Sequence, residues 1–179
     1  MSRARDTSRS RAAARRAFTL VDTLMTVAVL AIIAGLALAT MAPTDRTRVV
    51  SAAALFAADA EHARTISLTT PDNPGVVRTA ADWASYWIAR NDTTETEIPK
   101  AGGRSFRVSF GQPPATGMSG VTIRLFSGGA AAAGGGGIAS FDGFGRLKGT
   151  STDAVFELAL NGATTRVRIV ADTGDVKIE

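Results

Sequence analysis

The spacing of hydrophobic positions changes twice along the chain, and each change marks a different kind of element. From Thr23 to Ala42 twenty residues carry no charge. At the helical rise they span about 30 Å, the thickness of a bilayer core, so a single membrane-spanning helix is predicted there, with Gly35 as its weak point. Pro43 lacks the N–H that would continue the ladder, which predicts a kink or short break, and Thr44 or Asp45 is placed to cap the helix that resumes. Val49, Ala53, Phe56, Ala60, Ala63 and Ile66 then recur at spacings of three and four and form one stripe. Arg48, Ser51, Asp59, Glu61 and Arg64 fall largely outside that stripe. This second helix is amphipathic and suited to lie on a sheet, although an ordinary domain helix behind a signal anchor would carry the same stripe.

The cluster Pro71-Asp72-Asn73-Pro74-Gly75 ends the helical pattern. Ala80 to Arg90 holds Trp83, Tyr86 and Trp87 at a spacing that suits either a helix face or an irregular strand, with the rings more useful in a core than as an exposed patch. After Pro99 the period becomes two: Phe106, Val108, Phe110; Val121, Ile123, Leu125; Phe156, Leu158, Leu160; then Val167 and Ile169 against Arg166 and Arg168. Asn161-Gly162 between two such runs predicts a tight type I′ hairpin turn, whose central residues both need positive φ. Asp172-Thr173-Gly174-Asp175 predicts another turn before a last strand at Val176–Ile178. Gln112–Gly120 reads as a Pro- and Gly-rich connection, and Gly128–Gly137, all Gly and Ala, as a flexible connector with little to pack. The carboxy-terminal half is therefore expected to hold about six short antiparallel strands.

Charge changes this picture at one end only. The chain has 179 residues and a formal charge of +4, but Met1–Ala17 holds six arginines against Asp6, a net +5, so the remainder is close to −1. The basicity belongs to a leader without apolar periodicity, and a basic flank before an apolar helix fixes the direction of membrane insertion. Arg104, Arg107, Arg124, Arg166 and Arg168 would line a nucleic-acid face only if they clustered, and the near-neutral remainder argues for solvated strand faces. Cysteine is absent and His62 is the single histidine, which removes disulfides, thiol nucleophiles and His-cluster metal sites. His62 falls on the polar side of the second helix. Asp142, Asp172 and Asp175 read as turn aspartates in preference to a calcium site.

The junction Arg15-Arg16-Ala17-Phe18-Thr19-Leu20-Val21-Asp22 resembles the cleavage and methylation signal of type IV pilins and type II secretion pseudopilins. The resemblance implies that a prepilin peptidase cuts between Ala17 and Phe18 and methylates the new amine of Phe18, the uncut helix remaining as anchor and filament core. It also implies a use for Asp22. A carboxylate within an apolar helix costs up to about 3 kcal/mol on insertion scales, so it needs a partner, and the amine of Phe18 on the same or an adjacent subunit supplies one. Two residues depart from the family pattern: Ala17 stands where Gly is usual, and Asp22 where Glu is usual. The same residues approximate the twin-arginine pattern R-R-x-F-x-L, and Ala37-Leu38-Ala39 offers a signal-peptidase site; in that case a soluble exported binding module would begin near Thr40.

Ile138-Ala139-Ser140-Phe141-Asp142-Gly143-Phe144-Gly145-Arg146 resembles the I-x-F-D-x-x-G-R segment of the H-type minor pseudopilins and FimT-like minor pilins. Thr165–Val176 is similar to their closing strand, T-G turn and final strand. Both ends thus imply one organisation: leader 1–17, membrane-spanning or filament-core helix 18–42, amphipathic continuation 43–69 and a periplasmic antiparallel β domain 70–179. The fold class is α+β, a long amino-terminal helix packed on a small sheet or sandwich. The implied function is that of a structural minor pseudopilin or minor pilin, not an enzyme, with no cofactor. Implied partners are a prepilin peptidase/methyltransferase, other pilin-like subunits and an inner-membrane assembly platform with its ATPase; a DNA-binding pilin of an uptake system is the alternative.

Overall fold

In the computed structural model the described residues are 20–40, 44–90, 97–99, 106–131 and 136–179, those of 35–40 and 131 by backbone only. Ala17, Phe18 and the break expected at Pro43 lie outside them. The chain divides into two units, Met1–Ala42 and Pro43–Glu179.

The first unit contains helix α1, Leu20–Thr40, which runs through Gly35 without interruption. Its side chains from Leu20 to Ala34 are exposed on every face. Among the described residues no helix is long and apolar enough to cross a membrane.

The second unit is built on α2, Asp45–Thr69. Thr44 caps it, its hydroxyl accepting the Thr47 N–H at 3.3 Å, and the chain leaves it through the Pro71–Gly75 turn. All six residues of the expected stripe are buried, together with Ala52, Asp59 and Ser67. Asp59 corrects the sequence reading that placed it outside the stripe: the phenol of Tyr86 donates to its Oδ2 at 2.7 Å, so the buried carboxylate is satisfied from the sheet. Burial, and then the Asp59 charge and hydrogen bond, push the Tyr86 pKa well above its ordinary value, which keeps the phenol a donor.

Two antiparallel sheets face α2. One has the strand order β3-β2-β1-β6-β5, with β1 Gly75–Thr79, β2 Ser85–Arg90, β3 Arg107–Ser109, β5 Ala130–Ala131 and β6 Gly137–Ser140. The other has the order β4-β7-β8-β9, with β4 Thr122–Ser127, β7 Ala154–Leu160, β8 Ala163–Ile169 and β9 Val176–Ile178. The described residues hold nine strands in two sheets; the alternating runs and the last strand read from the sequence are β3, β4, β7, β8 and β9, and β1, β2, β5 and β6 come in addition. β1 was hidden because all five of its residues are buried, which leaves no alternation to read. The ambiguous stretch at Ala80–Arg90 resolves into a turn followed by β2.

Phe56 of α2 joins the two sheets. Its ring meets Tyr86 of β2 edge-on at 5.0 Å and Phe156 of β7 at 4.9 Å, a geometry that aromatic quadrupoles favour. Small residues on α2 let β1 come close: a Cβ on Gly75 would strike the Ala63 carbonyl. Buried Ser67 completes this seam by donating to the Ala63 carbonyl at 3.0 Å and accepting the Gly75 N–H at 2.8 Å. The Gly- and Ala-rich connector is a second correction at its two ends, residues 132–135 lying outside those described. Gly128 lies against the Asp153 carbonyl and Gly136 against the Thr79 carbonyl, so glycine is used there for close packing. Asn161 and Gly162 have φ of 49° and 87°, the turn that their dipeptide predicts.

Candidate assembly site and the Asp142 turn

Of the three residues assigned to processing and assembly, only Asp22 is described. It lies in the first turn of α1, and its carbonyl accepts the Thr26 hydroxyl at 2.6 Å, just as the Leu20 carbonyl accepts that of Thr23 at 2.8 Å. These local bonds satisfy both hydroxyls within the helix, and the large apolar side chains near Asp22 in α1, Leu20, Val21, Leu24 and Met25, are exposed. A helix apolar on all faces is stable only when something outside it covers those faces.

The two carboxy-terminal segments singled out by resemblance form one structure. Asp142 organises a turn: its Oδ1 accepts the N–H groups of Phe144 and Arg146, both at 2.9 Å, and its Oδ2 accepts the Arg146 guanidinium at 3.0 to 3.1 Å. Desolvation opposes ionisation here, but the N–H donors of Arg146 and Phe144, with the Arg146 charge, outweigh it and hold the Asp142 pKa below the usual range. Phe141 is driven into the core by this turn, while Phe144 is left 76% exposed beneath the Arg146 guanidinium.

The second segment closes over the first. Leu147 N–H donates to the Ala171 carbonyl at 3.0 Å, and Gly174, at a φ of 71°, lies so close to the Gly145 carbonyl that no side chain fits. The polar flank of α2 clasps both. Arg64 pairs with Asp175 at 3.1 Å, and Glu61 accepts the Val176 N–H at 3.1 Å. Asp142 and Asp175 are thus engaged by N–H donors and arginines, and among the described residues no group of His, Asp or Glu is placed to hold a metal. The segment Ile138–Arg146 and the Thr173-Gly174 turn are the two halves of this clasp.

The remaining sequence candidates separate. Tyr86 and Trp87 are buried, but Trp83 is 40% exposed and has a φ of 59°. A bulky side chain in that region costs on the order of 1–3 kcal/mol. His62 is exposed and stacks on Phe106 at 5.4 Å. Arg104 lies outside the described residues; Arg107, Arg124, Arg166 and Arg168 each pair with a carboxylate, from Glu97, Glu157, Glu157, and Asp153 with Glu179 respectively. Sequence periodicity placed these arginines on solvent-facing positions correctly but gave no sign of the acids opposite them.

A helix lying on two antiparallel sheets and clasped at the Asp142 turn defines a pilin-like fold. Two solved structures share it. The type IV minor pilin FimU of Pseudomonas aeruginosa superposes with a TM-score of 0.53 at 17% identity, over 76% of this chain and 91% of that one. The minor pseudopilin EpsH of the Vibrio cholerae type 2 secretion system superposes with a TM-score of 0.51 at 10% identity, over 74% and 96%. No family model matches the chain. No curated protein matches it in sequence.

Proposed function

We propose that this protein is a structural subunit, a minor pseudopilin or minor pilin, that is cut before Phe18, methylated there and built into a type II secretion pseudopilus or a type IV pilus. One observation carries the reading: a pilin-like domain is preceded by a helix whose apolar side chains, Leu20 to Ala34, are exposed on every face around a single acid, Asp22. Lipid covers such a helix before assembly, and neighbouring helices cover it afterwards.

On this reading the chain carries no catalytic residue and needs no cofactor. Its partners are a prepilin peptidase/methyltransferase, other pilin-like subunits and the inner-membrane assembly platform. The leader stays cytoplasmic and the clasped domain faces the periplasm, the orientation favoured by the six leader arginines. Asp22 neutralises the Phe18 amine of the same or a neighbouring subunit. Mass spectrometry of the protein recovered from its host tests this: an N-methylated Phe18 terminus is expected, and a terminus at Thr40 overturns the reading in favour of the twin-arginine export module.

A further inference from the structure

The first turn of α2 carries two cations where helix electrostatics disfavours them. Arg46 and Arg48 stand at the amino-terminal end, whose dipole favours anions, and Asp45 is the acid of that turn. Asp45 is already engaged: its Oδ2 accepts the Asn161 amide at 3.0 Å, and its Oδ1 lies 3.9 Å from Arg48 Nη1. Arg46 is exposed and, among the described residues, makes no ion pair. The helix gains nothing from this cation, which leaves its N–H donors to a partner outside the domain.

Two uncharged loops adjoin the turn. The tip of the β7–β8 hairpin is joined to it by the Asn161–Asp45 bond, and the Gly111–Gly120 loop packs on that hairpin, where a Cβ on Gly120 would lie 3.1 Å from Leu160 Cδ1. In a chain that is 20% charged, neither Phe110–Thr122 nor Leu158–Thr165 holds an Asp, Glu, Lys or Arg. Pro113, Pro114, Thr116 and Asn161 are exposed, so these loops can lose water without stranding a charge. The β1–β2 turn adjoins in its turn, the Ile123 N–H donating to the Trp83 carbonyl, and it adds Asp82, whose Oδ1 accepts the Ala84 N–H at 3.0 Å. Two arginines and two acids therefore share this end of the domain. The acids are bonded within it, and Arg46 is not.

Covalent geometry limits how far this end can lie from α1. Thr40 ends α1 and Asp45 begins α2, so five residue steps separate them, about 18 Å at full extension. The headgroup layer adds about 5–7 Å to each side of the hydrocarbon. With α1 in lipid, the start of α2 is thus within reach of the headgroups.

We infer that this end of the domain, from Arg46 and Arg48 across the Asn161-Gly162 tip to the Gly111–Gly120 loop, docks on the phospholipid headgroup layer, its arginines donating to lipid phosphate. The inference rests on the proposed reading that lipid covers α1. A guanidinium matches phosphate oxygens two at a time, and the uncharged loops around it lose little on leaving bulk water.

The chain has no cysteine, so one introduced cysteine is the sole site for a fluorophore. The full chain is labelled at Gly117→Cys, where a Cβ meets nothing within 4 Å, or at Thr65→Cys, exposed on α2 about 30 Å along the helix from Asp45. Each is reconstituted in nanodiscs of phosphatidylethanolamine and phosphatidylglycerol that contain a headgroup-nitroxide lipid. Quenching is expected at Gly117→Cys and not at Thr65→Cys, and Arg46→Gln with Arg48→Gln should lower it about twofold. Those substitutions take cations from a helix start and are expected to melt no lower than the parent, which separates lost docking from lost folding. The inference is overturned if, in a chain that resists carbonate extraction from liposomes, the Gly117→Cys label is quenched no more than the Thr65→Cys label or the arginine variant is quenched as fully as the parent. It is also overturned if quenching appears only in nanodiscs that hold two chains, which makes a second copy the occupant. A chain that carbonate extracts overturns the lipid reading of α1 itself, and the inference with it.

Discussion

Helices α1 and α2 are both rich in alanine and of similar length, yet one is buried along a stripe and the other is exposed on all sides. The more apolar of the two is the exposed one. Burial is decided by whether a matching surface is supplied, and among the described residues α2 has one. Gly75 lets β1 approach the Ala63 carbonyl, Ser67 and Asp59 find partners on the sheets, and Phe56 fills the space between Tyr86 and Phe156. In the proposed subunit the apolar faces of α1 are covered by lipid and by neighbouring helices.

The largest expected effect would confirm or break that division. Asp22→Ala should leave cleavage and domain melting unchanged while abolishing recovery of the protein in sheared filaments; normal incorporation would remove Asp22 from assembly. Phe56→Ala should do the reverse, lowering urea-derived stability by about 3–5 kcal/mol because it empties the junction of both sheets. Tyr86→Phe takes the phenol from buried Asp59 and should cost about 1–3 kcal/mol in the same measurement. The smallest effect is acid lability. Asp142 and Glu157 have folded-state pKa values below their reference values of 3.8 and 4.5. The unfolded chain therefore takes up these protons first, so their stabilisation is complete above about pH 5 and is lost as the pH falls through the reference values towards the folded ones. Asp142→Asn with Glu157→Gln should flatten that slope in thermal melts between pH 5 and pH 2.

Patterning revealed the elements that have one wet face. The α2 stripe, β3, the alternation of Arg166 and Arg168 with Val167 and Ile169, and the Asn161-Gly162 turn are all where period and turn chemistry put them. β1 and most of β2 were hidden because burial on both faces erases alternation. Asp59 was misplaced because a carboxylate in a helix reads as solvated unless its partner is known, and Tyr86 is 27 residues away in sequence. The two ends of the Gly128–Gly137 stretch were misread as loose because composition does not distinguish glycine needed for freedom from glycine needed for contact. Of the candidate site, the signature around Asp142 was legible as a pattern, but its fit to the T-G turn through Gly145 and Gly174 required the fold.

Mechanically, α2 is fastened to the four-stranded sheet at both ends. Near its start, the Asn161 amide at the tip of the β7–β8 hairpin donates to Asp45 Oδ2 at 3.0 Å; near its end, Arg64 and Glu61 hold Asp175 and Val176. A pull applied at Thr44 along the axis of α2 therefore meets both fastenings and the Phe56 seam together, in shear. Bonds loaded in parallel share a force that bonds opened one after another bear singly, so a pull along α2 is expected to meet more resistance than one that lifts either end.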